Sequence, residues 1–129
     1  GGALTGKYLN DDGEGRVAED SKRRNARSTE IAQEVVAVAK EIGCTPAQVA
    51  LNWVRQRSQP VIPIIGARKL SQIEDSLKCL DYPLEAEHIS RLEAVSAIEP
   101  GFPHEFLSAE RVRNIIFGST QDQIENHRT

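Results

Sequence analysis

The stretch that most limits what this chain can fold into is Pro60 to Ser76, PVIPIIGARKLSQIEDS, where an aliphatic run meets one glycine and then a helix. Val61 to Ile65 is nearly unbroken aliphatic sequence, which predicts a strand buried on both faces, as in a parallel sheet covered by helices. Pro63 lacks a ladder donor, so a bulge or strand end is expected there. Gly66 closes the run. Ala67, Arg68 and Lys69 then lead into a helix with apolar Ile73, Leu77 and Leu80, and Ser71 and Glu74 are spaced as a capping box.

This order of elements suits an anion. A helix N-terminus carries unsatisfied N–H donors and a positive dipole end, a glycine allows close backbone approach, and the Arg68 guanidinium is a planar, permanently charged fork. Strand-to-helix turns with a glycine and a basic residue also occur without any ligand. From these residues alone both readings stand.

The same residues carry a family resemblance. The segment resembles the last barrel strand and following helix of aldo-keto reductases, in the branch whose signature runs Ile-Pro, two residues, Gly-Ser/Ala-Arg, three residues, Gln, two residues, Glu-Asn. Here the matching positions are Ile62, Pro63, Gly66, Ala67, Arg68, Gln72, Asp75 and Ser76. The resemblance implies that Arg68 and Gln72 hold the 2′-phosphate of NADPH, that Gly66 and Ala67 offer backbone donors, and that Asp75 and Ser76 face the adenine. Two positions depart from the signature, since Asp75 stands for the usual Glu and Ser76 for the usual Asn.

Gly1 to Tyr8, GGALTGKY, resembles the family's segment after the seventh barrel strand, whose loop lies over the cofactor pyrophosphate. Leu4, Thr5, Gly6 and Lys7 are the matching residues. Read alone, Gly6 gives backbone freedom and Lys7 a point charge, which also describes a flexible start with a solvated lysine. A P-loop is excluded, because Tyr8 stands where that motif needs a magnesium-binding hydroxyl. The likeness runs on through TPAQVALNWV to GFPHEFL and VRNIIFGST, an extension in some members, and covers nearly the whole chain. It implies the C-terminal, cofactor-binding part of an α/β (β/α)8 barrel over residues 1–129, mostly helical here with one parallel-type strand at Val61 to Ile65 and a tail over 99–129.

The chain has 129 residues, about half of the ~250 of a (β/α)8 barrel. Taken with the resemblance, that shortfall implies a partner, the missing N-terminal barrel half, and, in the complete enzyme only, a small carbonyl substrate. The net charge is −3 with interspersed signs, so no basic footprint points to nucleic acid or an anionic membrane. No apolar run approaches the ~20 residues of a membrane span. The glycine-rich start lacks the regions of a signal peptide, and a cytoplasmic protein is the expectation. There is no methionine, so the chain either lost its initiator before Gly1 or did not begin there.

Asn10 to Ala26 is polar, with turn signals at Asp12, Gly13 and Gly15, and reads as a surface loop. Ser28 is placed to cap a helix from Thr29 to Ile42, with Ile31, Val35, Val38 and Ile42 as its stripe and Gly43 as its end. Thr45, Pro46 and Gln48 give a second start by cap, N1 proline and capping-box partner. That helix runs to about Arg57, with Val49, Ala50, Trp53 and Val54 inward. A further helix spans about Ala86 to Ala97, with Ile89 and Leu92 inward. Phe102, His104 and Phe106 follow, either lining a pocket or packing the tail down. Cys44 and Cys79 read as small buried hydrophobes, too few for a disulfide framework.

The family's tyrosine, lysine, aspartate and histidine tetrad cannot be assembled here. Neither Tyr8 nor Tyr82 has the aspartate four residues ahead that the motif requires, and His88, His104 and His127 fall on a helix and in the tail. No catalytic or metal-ligating residue is therefore assigned, and the chain is expected to be inactive alone. A different class remains open: Glu34 to Val54 has the helix, glycine turn and capped second helix of a DNA-binding helix-turn-helix, with Gln48 and Asn52 for base edges. A truncation product without function is a third alternative.

Overall fold

Asn25 and Ser28 cap each other at the start of the first helix. The Asn25 side chain accepts the Ser28 N–H at 2.9 Å, and the Ser28 hydroxyl accepts the Asn25 N–H at 3.0 Å. Helix α1 consequently runs Ala26–Ile42, starting earlier than a Ser28 cap predicts. Ser28 is the returning partner of the capping box, at the third helical position, and not the cap itself. The structure, a computed structural model, describes residues 2–6, 9, 21–22, 24–57 and 61–125. Most of the polar Asn10 to Ala26 loop lies outside them.

Gly43 ends α1 with φ 80°, its N–H donating to the Ala39 carbonyl at 2.9 Å. Thr45 then starts α2, Pro46–Arg55, with the cap, N1 proline and Gln48 box that the sequence predicts. Helix α4, Ala86–Ser96, completes a layer. Val35, Val38, Ala39, Val49, Leu84 and Leu92 form the core between these helices, with Ile31, Ile42, Cys44, Trp53 and Ile89 packed against it. Each fully buried valine contributes about 1.5–3 kcal/mol. Of the two cysteines only Cys79 is fully buried; Cys44 is partly so.

Polar contacts fasten the outside of the layer. The Arg91 guanidinium on α4 reaches α1 twice, at 2.8 Å from Glu34 Oε1 and at 2.7 and 3.0 Å from the two Glu41 oxygens. Arg27 donates to the carbonyl of Ser96 at 2.7 Å, closing the end of α4 onto α1. A 3₁₀ turn, Ala3–Thr5, lies on α1 and α2. Gly6 follows it with φ 79°, and a Cβ there would stand 2.7 Å from Val36 Cγ2, so both conformation and space call for glycine.

Val61 to Ile65 does not form the expected strand. Residues 61–67 have no regular secondary structure, and no strand occurs among the described residues. Ile62 and Ile64 are 88% and 99% exposed. A parallel strand exists through its neighbours' N–H and C=O groups, and none of the described residues offers a ladder. The proposed bulge at Pro63 lapses with the strand. Helix α3 follows as Leu70–Leu77, and a 3₁₀ turn, Lys78–Asp81, continues it. Ser71 and Glu74 form no capping box: Lys69 is the N-cap, without a side-chain bond.

Residues 97–129 form a second compact unit. Helices α5, His104–Ser108, and α6, Glu110–Phe117, flank Ala109, and a 3₁₀ stretch, Gly118–Gln123, follows. Neither helix buries a residue. Phe102 and Phe106 are exposed with ring centroids 6.0 Å apart, and His104 is exposed. His127 lies outside the described residues. No helix among the described residues is long and apolar enough to cross a membrane.

Candidate functional site at the start of α3

Residues 66–69 lead into α3, whose first residues 70–72 are exposed with them. Gly66 does not adopt a positive φ, and nothing lies within 4 Å of where a Cβ would sit. Its contribution is open space over the backbone. Ala67 and Arg68 are exposed beside it. The Arg68 N–H donates to Gln72 Oε1 at 2.9 Å, tying the two residues into one loop. The first turn of α3 has no side-chain cap; the Gln72 N–H donates to the Lys69 carbonyl at 3.1 Å, which leaves the Leu70 and Ser71 N–H groups without a partner among the described residues. A fixed-charge guanidinium, an amide and uncapped donors make a turn suited to holding an anion.

Asp75 and Ser76 sit one turn further along, partly buried. The Ser76 hydroxyl donates to the Gln72 carbonyl at 2.8 Å. Asp75 faces α2: its Oδ1 accepts from Gln48 Nε2 at 2.9 Å, and its Oδ2 from the Thr45 hydroxyl at 3.3 Å. The Cys44 thiol is pushed up from its ordinary pKa by burial first and by the charge of Asp75 second. Leu4, Thr5 and Gly6 belong to the turn over α1 and α2, where the Thr5 hydroxyl donates to Gly2 O at 2.8 Å. Lys7 and Tyr8 lie outside the described residues.

Sequence reading missed a row of amides along α2 and its C-cap residue, Gln56. Gln48, Asn52 and Gln56, spaced by four, point at residues 75–84. Gln48 Nε2 donates to the Asp75 carbonyl at 2.8 Å. Asn52 Nδ2 donates to the carbonyls of Cys79 and Tyr82, both at 2.6 Å. Gln56 and Leu84 exchange two bonds, Nε2 to Leu84 O at 3.0 Å and Leu84 N to Oε1 at 2.9 Å. The i, i+4, i+8 spacing of amides was the available signal. With Gln48 at 3% and Asn52 at 0% exposure, the two residues assigned to base edges are sealed inside and do not present their amides to a base edge.

Leu4, Ile31, Val35, Ala50, Trp53 and Leu92 are among the residues lining an apolar cavity of about 190 Å³. Arg57 stacks 4.7 Å over the Trp53 ring and pairs with Glu93 at 3.4 Å. Trp53 Nε1 is buried without a partner among the described residues.

A helical layer thus lies beside an exposed aliphatic segment that leads into the start of α3. Residues 1–97 match the Aldo/keto reductase family, ending one residue beyond the first compact unit, Gly1–Ser96. The chain belongs to the aldo/keto reductase family, whose fold is the (β/α)8 barrel. It is 28% identical over 97 residues to the Saccharomyces cerevisiae protein named "Probable aryl-alcohol dehydrogenase AAD4", covering 74% of this chain and 30% of that protein. It is 35% identical over 82 residues to norsolorinic acid reductase B of Aspergillus parasiticus, covering 64% and 21%. The norsolorinic acid reductase B of Dothistroma septosporum is 34% identical over 79 residues, with 61% and 20% covered. The chain thus spans less than a third of the length of these relatives.

Proposed function

We propose that this chain is the nucleotide-holding side of an NADPH-dependent oxidoreductase that reduces aldehydes or ketones to alcohols. The observation that carries the reading is the Arg68 main-chain N–H to Gln72 Oε1 bond at 2.9 Å, which fixes the backbone bearing Arg68 against the Gln72 side chain at a helix start without a side-chain cap, beside the open backbone of Gly66. Family membership and relatives named as reductases and alcohol dehydrogenases support it.

Arg68 and Gln72 hold the 2′-phosphate, with Gly66 and Ala67 offering main-chain donors. Asp75 and Ser76 form the adenine side. Leu4, Thr5, Gly6 and Lys7 serve the pyrophosphate. NADPH, when bound, supplies the hydride for the carbonyl carbon. The proton donor and substrate pocket come from the rest of the barrel, which also covers the exposed aliphatic segment at 61–65 and supplies its ladder. The 129-residue chain alone binds nucleotide weakly and turns nothing over.

Isothermal titration of the chain with NADPH and NADH tests this. Tighter binding of NADPH is expected, and Arg68→Ala should weaken NADPH by at least about tenfold, as a charge-assisted contact worth about 1.5–3 kcal/mol implies, while leaving NADH unchanged. Equal affinity for the two nucleotides refutes the assignment.

A further inference from the structure

Helix α3 buries none of its own residues, and its apolar side chains Leu70, Ile73 and Leu77 are exposed. Apolar packing therefore does little to hold it against the layer. Among the described residues, its polar attachment to α2 is concentrated on Asp75. Gln48, itself 3% exposed, places both hydrogens of its amide on Asp75, at 2.8 Å to the main-chain oxygen and 2.9 Å to Oδ1. Thr45 adds its hydroxyl on Oδ2 at 3.3 Å. The Gln48 oxygen is fixed in turn by the Thr45 N–H at 3.0 Å, so the donor end has one orientation.

Asp75 lies one helical turn beyond Gln72, and Gln72 holds the Arg68 main chain. We propose that Gln48 is a positioning residue for the phosphate turn: gripping Asp75, it sets where α3 stands and hence where Arg68 and Gln72 meet a 2′-phosphate. The inference rests on the phosphate assignment above. Its physical basis is that a rigid helix carries a displacement at Asp75 to its own first turn, and contact geometry is sensitive to shifts of about 1 Å. Asp75 on this reading contributes through α2 as well as through any contact of its own.

The test uses the 129-residue chain with 2′,5′-ADP and 5′-AMP, probes that differ only in the 2′-phosphate. Contacts to the adenosine cancel in the ratio of their affinities. Gln48→Glu sets a second carboxylate against Asp75 and is expected to cut that ratio by about tenfold, as expected for coupled neighbours. Adding Asp75→Asn restores the side-chain pair with the roles exchanged but leaves the main-chain oxygen of residue 75 without its donor, so the double variant should recover part of the loss, with a ratio at least about threefold above that of Gln48→Glu. An unchanged ratio in Gln48→Glu, or no recovery in the double variant, overturns the proposal. If Gln48→Glu does not fold, Asp75→Ala, at a partly exposed position, replaces it with the same expected fall and the same refuting result. If the original chain fails to distinguish the probes, the phosphate assignment itself has failed. Amide exchange over α3 then decides the mechanical claim separately: faster exchange in Gln48→Glu, partly reversed in the double variant, sustains it, and unaltered exchange ends it.

Discussion

Asn52 and Cys79, 27 residues apart, are joined by a side-chain amide donating to a main-chain carbonyl at 2.6 Å. The same amide serves the Tyr82 carbonyl at 2.6 Å, while Asn52 Oδ1 accepts from Arg55 Nε and Nη2 at 3.2 and 3.0 Å. A fully buried polar side chain is stable only when its donors and acceptors are used, and here they are. Asn52→Ala therefore strips two carbonyls of their partner. A loss of about 2–4 kcal/mol is expected, read as a lower urea midpoint at unchanged slope. A loss below about 0.5 kcal/mol, the range of ordinary surface changes, contradicts the role given to Asn52.

Gly6 and Gly43 share left-handed conformations, φ 79° and 80°, but differ in surroundings. Nothing crowds a Cβ at Gly43, so Gly43→Ala should cost only the conformational penalty of about 1–2 kcal/mol. At Gly6 the added methyl meets Val36 Cγ2 at 2.7 Å, and the turn over α1 should lift. Hydrogen exchange at the Thr5 and Leu9 amides, bonded to Gly2 O and Gly6 O, should quicken in Gly6→Ala and stay as it is in Gly43→Ala. Equal exchange in both variants would contradict the close approach.

Glu41 holds its proton less tightly than an ordinary glutamate, first through its hydrogen bond to Arg91 and also through the charges of Arg91 and His88. The Arg91 guanidinium is correspondingly harder to deprotonate. A carboxylate with a depressed folded pKa stabilises above its unfolded value and loses that contribution as pH falls through the folded one. Thermal melts should hence fall with acid below about pH 4.5, the ordinary value, and Arg91→Gln should flatten that part of the profile. His88 Nε2 lies 3.7 Å from Glu41, and its charge also lowers the Glu41 pKa, so a smaller residual slope remains in Arg91→Gln. An identical acid limb in wild type and Arg91→Gln would remove Arg91 as its source.

Local signals were legible where partners lie close in sequence. Thr45, Pro46 and Gln48 start α2 as their spacing says. The stripe of α1 also faces the core, because a helix fixes its faces by period alone. Ser28 misled because Asn25 and Ser28 are both cap formers, and reciprocity decides which one leads. Val61 to Ile65 failed for the opposite reason. A strand is a relation between chains of atoms far apart, and composition cannot supply the missing side. At the candidate site, Arg68 and Gln72 are four residues apart and are joined by a bond from the Arg68 main chain. The role of Gln48 was not legible, since a glutamine in a capping box gives no hint that its amide also grips another helix.

Asn52 and Gln56 take hold of residues 79–84 by main-chain atoms. Such a socket recognises the path of the backbone and is indifferent to what hangs from it. Lys78, Leu80 and Asp81 are therefore open to exchange without loosening the joint, whereas one inserted or deleted residue between Cys79 and Leu84 would throw every amide out of step. The segment should tolerate substitution and refuse changes of length.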